Sequence, residues 1–155
     1  MTDINVTDSK IIQYQFEISI ARTPDKVWSI MTESIDAWWM NDFRALGENS
    51  KVSLNPMTGG QLLETSPEGG SLEWYKVQMC TPGVALYLVG YMAPDWGGPT
   101  ISMLKLGVEA RDQGSMLIVS DALMGNVTES SAQSAASGWE TLFGSGLKDY
   151  AESLN

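Results

Sequence analysis

The groups able to do chemistry in this chain are carboxylates and tyrosines, because it has no histidine and a single cysteine, Cys80. Histidine is the only side chain whose ordinary pKa makes it both an acid and a base near neutrality. Its absence excludes a Ser-His-Asp triad, a Cys-His pair and a His-ligated zinc or iron site. The polar candidates are Asp121, Glu64, Glu109, Tyr75, Tyr87 and Tyr91. Asp121 stands in Leu117-Ile118-Val119-Ser120-Asp121-Ala122, a mostly apolar run. Turned inward, its pKa would rise by burial, making it a weak candidate for catalytic work. Its direction depends on the turn before it. A three-residue turn at Asp112 to Gly114 pairs Asp121 with Lys105, and an exposed ion pair is the expected arrangement. A four-residue loop sets it opposite Leu104 instead. Nothing in the sequence links Glu64 to Glu109, and general acid–base work by two carboxylates needs both close in space.

No Asp and Gly spacing resembles a calcium-binding loop, so no metal is expected. Gly59-Gly60 precedes a strand without the Lys-Ser/Thr of a phosphate loop, and no cofactor is expected. There are 9 basic against 19 acidic residues, a formal charge of −10. That field repels phosphate backbones and anionic membranes, which excludes nucleic acid as a partner. No run of 18 apolar residues is present, so no membrane insertion is expected. One cysteine allows no internal disulfide, and the polar start MTDINVTDSK lacks the basic and apolar regions of a signal peptide. The expected location is the cytoplasm.

The elements that must position these groups follow from periodicity. Residues 1–10 read as a flexible tail and 11–155 as a single domain. Gln13 to Ile20 alternates, with Tyr14, Phe16, Ile18 and Ile20 on one face, as a half-buried strand does. Thr23-Pro24-Asp25 opens a helix carrying Val27, Trp28, Ile30 and Met31, and Ser34 to Trp39 forms a second short one. Two short strands and then four longer ones follow: Leu72 to Cys80, Ala85 to Met92, Ile101 to Ala110 and Ser115 to Met124. From about Glu129 to Leu154, Trp139, Leu142, Phe143, Gly146, Leu147, Tyr150 and Leu154 recur three or four apart, as on a long helix. The class is α+β: a curved antiparallel β-sheet gripping a long C-terminal helix, with two short helices after the first strand.

Five short motifs in this order resemble the helix-grip (START-like, SRPBCC) superfamily. They are Ala21-Arg22-Thr23-Pro24-Asp25-Lys26-Val27-Trp28, Trp38-Trp39, Pro56-x-x-Gly59-Gly60, Gln113-Gly114-Ser115 and Gly138-Trp139. The branch they are most similar to is that of the activator of the heat-shock chaperone ATPase. Relatives often carry a histidine near the end of the last strand, where this chain places Asp121. The resemblance implies a cavity between sheet and C-terminal helix, and a second copy or a chaperone as protein partner. The residues suit an adaptable apolar cavity. Dry cores favour Leu, Ile and Val, whereas this chain has 6 Trp, 5 Tyr and 9 Met, which repack around varied ligands. The expected wall is Trp39, Tyr75, Met79, Met103, Trp139 and Phe143. The expected function is binding of a small hydrophobic molecule without covalent chemistry. The rivals are a cyclase- or dehydratase-like enzyme using Asp121 and a tyrosine, and a protein-interaction module.

Overall fold

A computed structural model describes all 155 residues. Strand β1 (Lys10–Ile20) obeys its alternation: Tyr14, Phe16 and Ile18 are half-buried, Ile20 is buried, and Gln13, Gln15, Glu17 and Ser19 face water. The further strands are β2 (Lys51–Leu54), β3 (Gln61–Thr65), β4 (Ser71–Thr81), β5 (Ala85–Met92), β6 (Thr100–Arg111) and β7 (Gly114–Gly125). They form one antiparallel sheet in the order β1-β7-β6-β5-β4-β3-β2. The first strand thus closes onto the last, and only β1 and β2 are edges. The sheet is curved, with the C-terminal helix on its inner face.

Helix α1 (Pro24–Glu33) starts where Pro24 fixes a helical φ at a position needing no N–H, and the Thr23 hydroxyl accepts from the Lys26 N–H. It buries Val27, Ile30 and Met31. Helix α2 (Ile35–Trp38) follows at once. The C-terminal helix runs as α3 (Glu129–Thr141), a π-helical stretch Leu142–Lys148, and α4 (Asp149–Ser153). Gly146 is required there: a Cβ would sit 2.7 Å from the Trp38 carbonyl oxygen.

The two halves of this helix bury different things. The later half puts Leu142, Phe143, Leu147 and Ala151 into a cluster of 22 buried residues with Leu86, Leu104, Leu106, Leu117 and Val119. Each large apolar side chain so enclosed contributes roughly 1.5–3 kcal/mol. The earlier half offers only Ala132, Ala135 and Ala136 before Trp139, with serines between.

Candidate functional site

The β6–β7 connection decides which way Asp121 faces. Arg111 pairs with Gly114, leaving two residues, Asp112 and Gln113, in the turn. Asp112 takes the left-handed conformation, φ 41°, which aspartate tolerates. Asp121 therefore sits opposite Leu104 on β6 and opposite Tyr14 on β1. This corrects the expected pairing with Lys105. The carboxyl shares the inner face with Leu117 and Val119 and is only 3% exposed.

Two hydroxyls meet it, and a third extends the row. Tyr14 Oη donates to Asp121 Oδ2 at 2.7 Å, and Ser102 Oγ donates to Oδ1 at 2.7 Å. Tyr75 Oη lies 2.7 Å from Ser102 Oγ. The row crosses five strands, β1-β7-β6-β5-β4, with Gly90 at the β5 position opposite Ser102. Burial raises the Asp121 pKa, and hydrogen bonds from Tyr14, Ser102 and the Ala122 N–H offset only part of that. Burial likewise pushes both phenols up, and the neighbouring Asp121 carboxylate adds to it. Sequence reasoning did not single out Tyr14 or Ser102 as polar partners. The signal that could have found them was parity: Ser102 shares the inward phase of Leu104, Leu106 and Val108.

Above the row, the Trp139 ring stands 6.0 Å from Tyr75 and 5.5 Å from Phe143. Phe143 continues to Trp38, then Trp39, then Trp74, in steps of 5.5 to 5.8 Å. Trp39, Tyr75, Trp139 and Phe143, four of the expected wall residues, thus belong to one aromatic run. Met79 and Met103 do not. Met79 is 52% exposed because a bulge at Gln78–Met79 flips the strand's alternation, placing it opposite the outward Tyr87. Met103 is 49% exposed because the inward phase of β6 belongs to its neighbour Leu104.

The other polar candidates serve elsewhere. Glu64 is fully buried and accepts from the Ala45 and Leu46 N–H groups, the Ser50 hydroxyl and the Trp74 indole. Burial alone would raise its pKa, yet these donors hold it below the usual carboxylate range. It staples the loop before β2 to the sheet. Glu109 pairs with Arg111 at the surface, 2.7 Å apart. The Lys105 ammonium lies 5.2 Å from the centre of the Tyr87 ring on the outer face. Tyr91 is exposed. No group of three or more Cys, Asp or Glu is arranged to hold a metal ion.

No family model and no curated protein sequence matches the chain. Solved structures do. An uncharacterized protein from Rhizobium leguminosarum matches with TM-score 0.72 and 11% identity, over 96% of this chain and 99% of that one. Ara h 8.0201 matches at 0.69 and 15%, over 94% and 100%. The Aha1 dimer from Colwellia psychrerythraea matches at 0.60 and 19%, over 92% and 97%. The fold is the helix grip.

Within this helix grip the hydroxyl row lies on the gripping face, under the Ala135 to Trp139 part of α3. A groove of about 460 Å³ is lined by the outward residues Gln13, Gln15, Met103, Lys105, Ser120 and Ala122, and Tyr14 and Asp121 of the row also border it. Those outward residues belong to the other face of the sheet. No helix is long and apolar enough to cross a membrane.

Proposed function

We propose that this helix grip binds a small, mainly apolar molecule between α3 and the inner face of the sheet, with no covalent step. The observation that carries this reading is the placement of Asp121. A carboxyl group buried beneath a helix is expensive unless it is fully partnered, and an apolar residue of similar size would stabilise the fold more simply. Retaining it suits a site where a polar group must be recognised inside an apolar space. Trp139, Tyr75 and Phe143 provide the flat apolar surfaces beside it, and Trp39 extends them. Access is supported by the composition of α3. Its Ala132, Ala135 and Ala136 bury little area, so lifting this half exposes far less apolar surface than lifting Leu142, Phe143 and Leu147.

An acid–base enzyme is the second reading. It is favoured by the same inward Asp121, whose raised pKa and hydrogen bond to Tyr14 put a weak base beside a phenol. Testing the first reading requires neutral flavonoid, sterol and naphthalene probes, followed together by tryptophan fluorescence and denaturant titration. A ligand selective for the folded state stabilises it by about 2.7 kcal/mol at a hundredfold excess over Kd. Stabilisation with a fluorescence change supports binding. No stabilisation by any probe removes the proposal.

A further inference from the structure

The hydroxyl row has a proton count, and that count sets which polar group it can receive. Tyr14, Ser102 and Tyr75 bring one hydroxyl proton each. With Asp121 as the carboxylate, Tyr14 spends its proton on Oδ2 and Ser102 spends its own on Oδ1. Ser102 Oγ then has only lone pairs left for Tyr75, so the 2.7 Å contact between them is a bond donated by Tyr75. All three protons point along the row toward one carboxylate. What the row still offers is acceptors: the second lone pairs of the Tyr14 and Tyr75 oxygens and those of Asp121 itself.

Resting on the binding reading above, we infer that the molecule taken by this site presents a hydrogen-bond donor, a hydroxyl or an amine, to the Tyr14–Asp121–Ser102–Tyr75 row. Acceptor-only groups such as ethers and ketones meet no free donor in the row itself, and against it they lose their water without replacement. A carboxylate fares worse, because it is set beside a buried negative charge in a chain of net charge −10. Over the row α3 brings Ala135, Ala136 and Trp139; the first two add no polar side chain, and the Trp139 indole N–H is the single donor the helix adds, at the Tyr75 end and away from Asp121. A site with unpaired acceptors discriminates for donors more strongly than an apolar pocket discriminates by size.

Four matched probes test it: 2-naphthol, 2-methoxynaphthalene, 2-naphthoate and naphthalene, measured by quenching of tryptophan fluorescence at neutral pH. The expected order places 2-naphthol roughly tenfold or more tighter than 2-methoxynaphthalene, with 2-naphthoate weakest. Ser102→Ala removes the acceptor of the Tyr75 proton and frees that proton, so the ratio between naphthol and methoxynaphthalene should fall in this variant. Asp121→Asn supplies an amide donor and removes the local charge, so naphthoate should gain relative to naphthol. If the naphthoate penalty persists in Asp121→Asn, it comes from the overall field, and the local part of the inference is lost. Equal or tighter binding of methoxynaphthalene in the unaltered protein overturns the inference while leaving apolar binding intact. Silence from all four probes, naphthalene included, removes the binding reading and the inference together.

Discussion

The ring of Tyr75 lies across Gly90, and that crossing is what lets a residue on β4 bond a hydroxyl on β6. A Cβ at Gly90 would stand 2.8 Å from Cδ1 and Cε1 of Tyr75 and 2.6 Å from the Trp74 carbonyl oxygen. The second contact is with backbone, so the strands must move. Gly90→Ala is expected to cost about 1–3 kcal/mol by denaturant titration. It should also detach Tyr75 from Ser102. Tyr75→Phe should therefore cost about 1 kcal/mol in the native background and almost nothing in Gly90→Ala. Additive effects of the two changes would show that Gly90 does not govern this bond.

Asp121 and Glu64 should respond to acid in opposite directions. The folded pKa of Asp121 is raised above its unfolded value, so its ionised form burdens the native state. The burden is full above the folded pKa and is relieved as pH falls through it. Asp121→Asn should be more stable than the native protein at neutral pH, each tenfold weakening of the acid on folding being worth about 1.4 kcal/mol. The gap should close on acidification. Urea midpoints across that range check it, and a gap that widens in acid contradicts it.

The folded pKa of Glu64 is depressed, so its contribution is present above the unfolded pKa and lost as pH falls through the folded one. Glu64→Gln turns an amide NH2 toward two of the four donors, since each carboxylate oxygen accepts from two, and should cost at least about 2 kcal/mol at neutral pH. That cost should shrink in acid. A cost independent of pH would mean that the carboxylate charge plays no part in holding the loop.

Phe143 and Trp139 touch each other but should differ in weight. Phe143 is 2% exposed, and its replacement by alanine should cost about 3–5 kcal/mol. Trp139 is only half-buried, so Trp139→Ala should fall below that, near ~2 kcal/mol. Equal losses in denaturant titration would indicate that Trp139 is enclosed in solution.

Amide hydrogen exchange should divide the C-terminal helix. Amides of Ala135 to Trp139 should exchange faster than those of Leu147 to Ala151, since the apolar surface holding the first group is smaller. Uniform protection would contradict access through α3.

Much of the architecture was legible because period-2 and period-3.6 patterns survive folding. β1 buries the face that its alternation marks, and the four long strands lie within a residue or so of their expected limits. The site was less legible because it depends on parity at two places that no pattern announces. The bulge at Gln78–Met79 turned Met79 outward, and the two-residue turn at Asp112–Gln113 turned Asp121 inward. One residue of slip exchanges the faces of a whole strand. Met103 is a different case, since Leu104, Leu106 and Val108 already claim the inward phase. Tyr75 stood among the candidates that the sequence offers, whereas its hydrogen-bond partner Ser102 did not, because a serine amid apolar neighbours carries no signal until its face is known.

The widened stretch Leu142–Lys148 works as a phase corrector. A regular helix turns about 100° per residue, so side chains four apart creep around it by about 40° at each step. Phe143, Leu147 and Ala151 are spaced that way, yet all three stay against the sheet, because a π-helical turn takes more residues and absorbs the creep. Winding the same residues as an ordinary helix, with none removed, would add about one residue's worth of rotation. The two halves would then fall out of step by about 100°. With Leu147 and Ala151 anchored in the core, the misalignment would appear at the other end, swinging Trp139 off Tyr75. The timing of one helix thus governs whether the row beneath it is roofed.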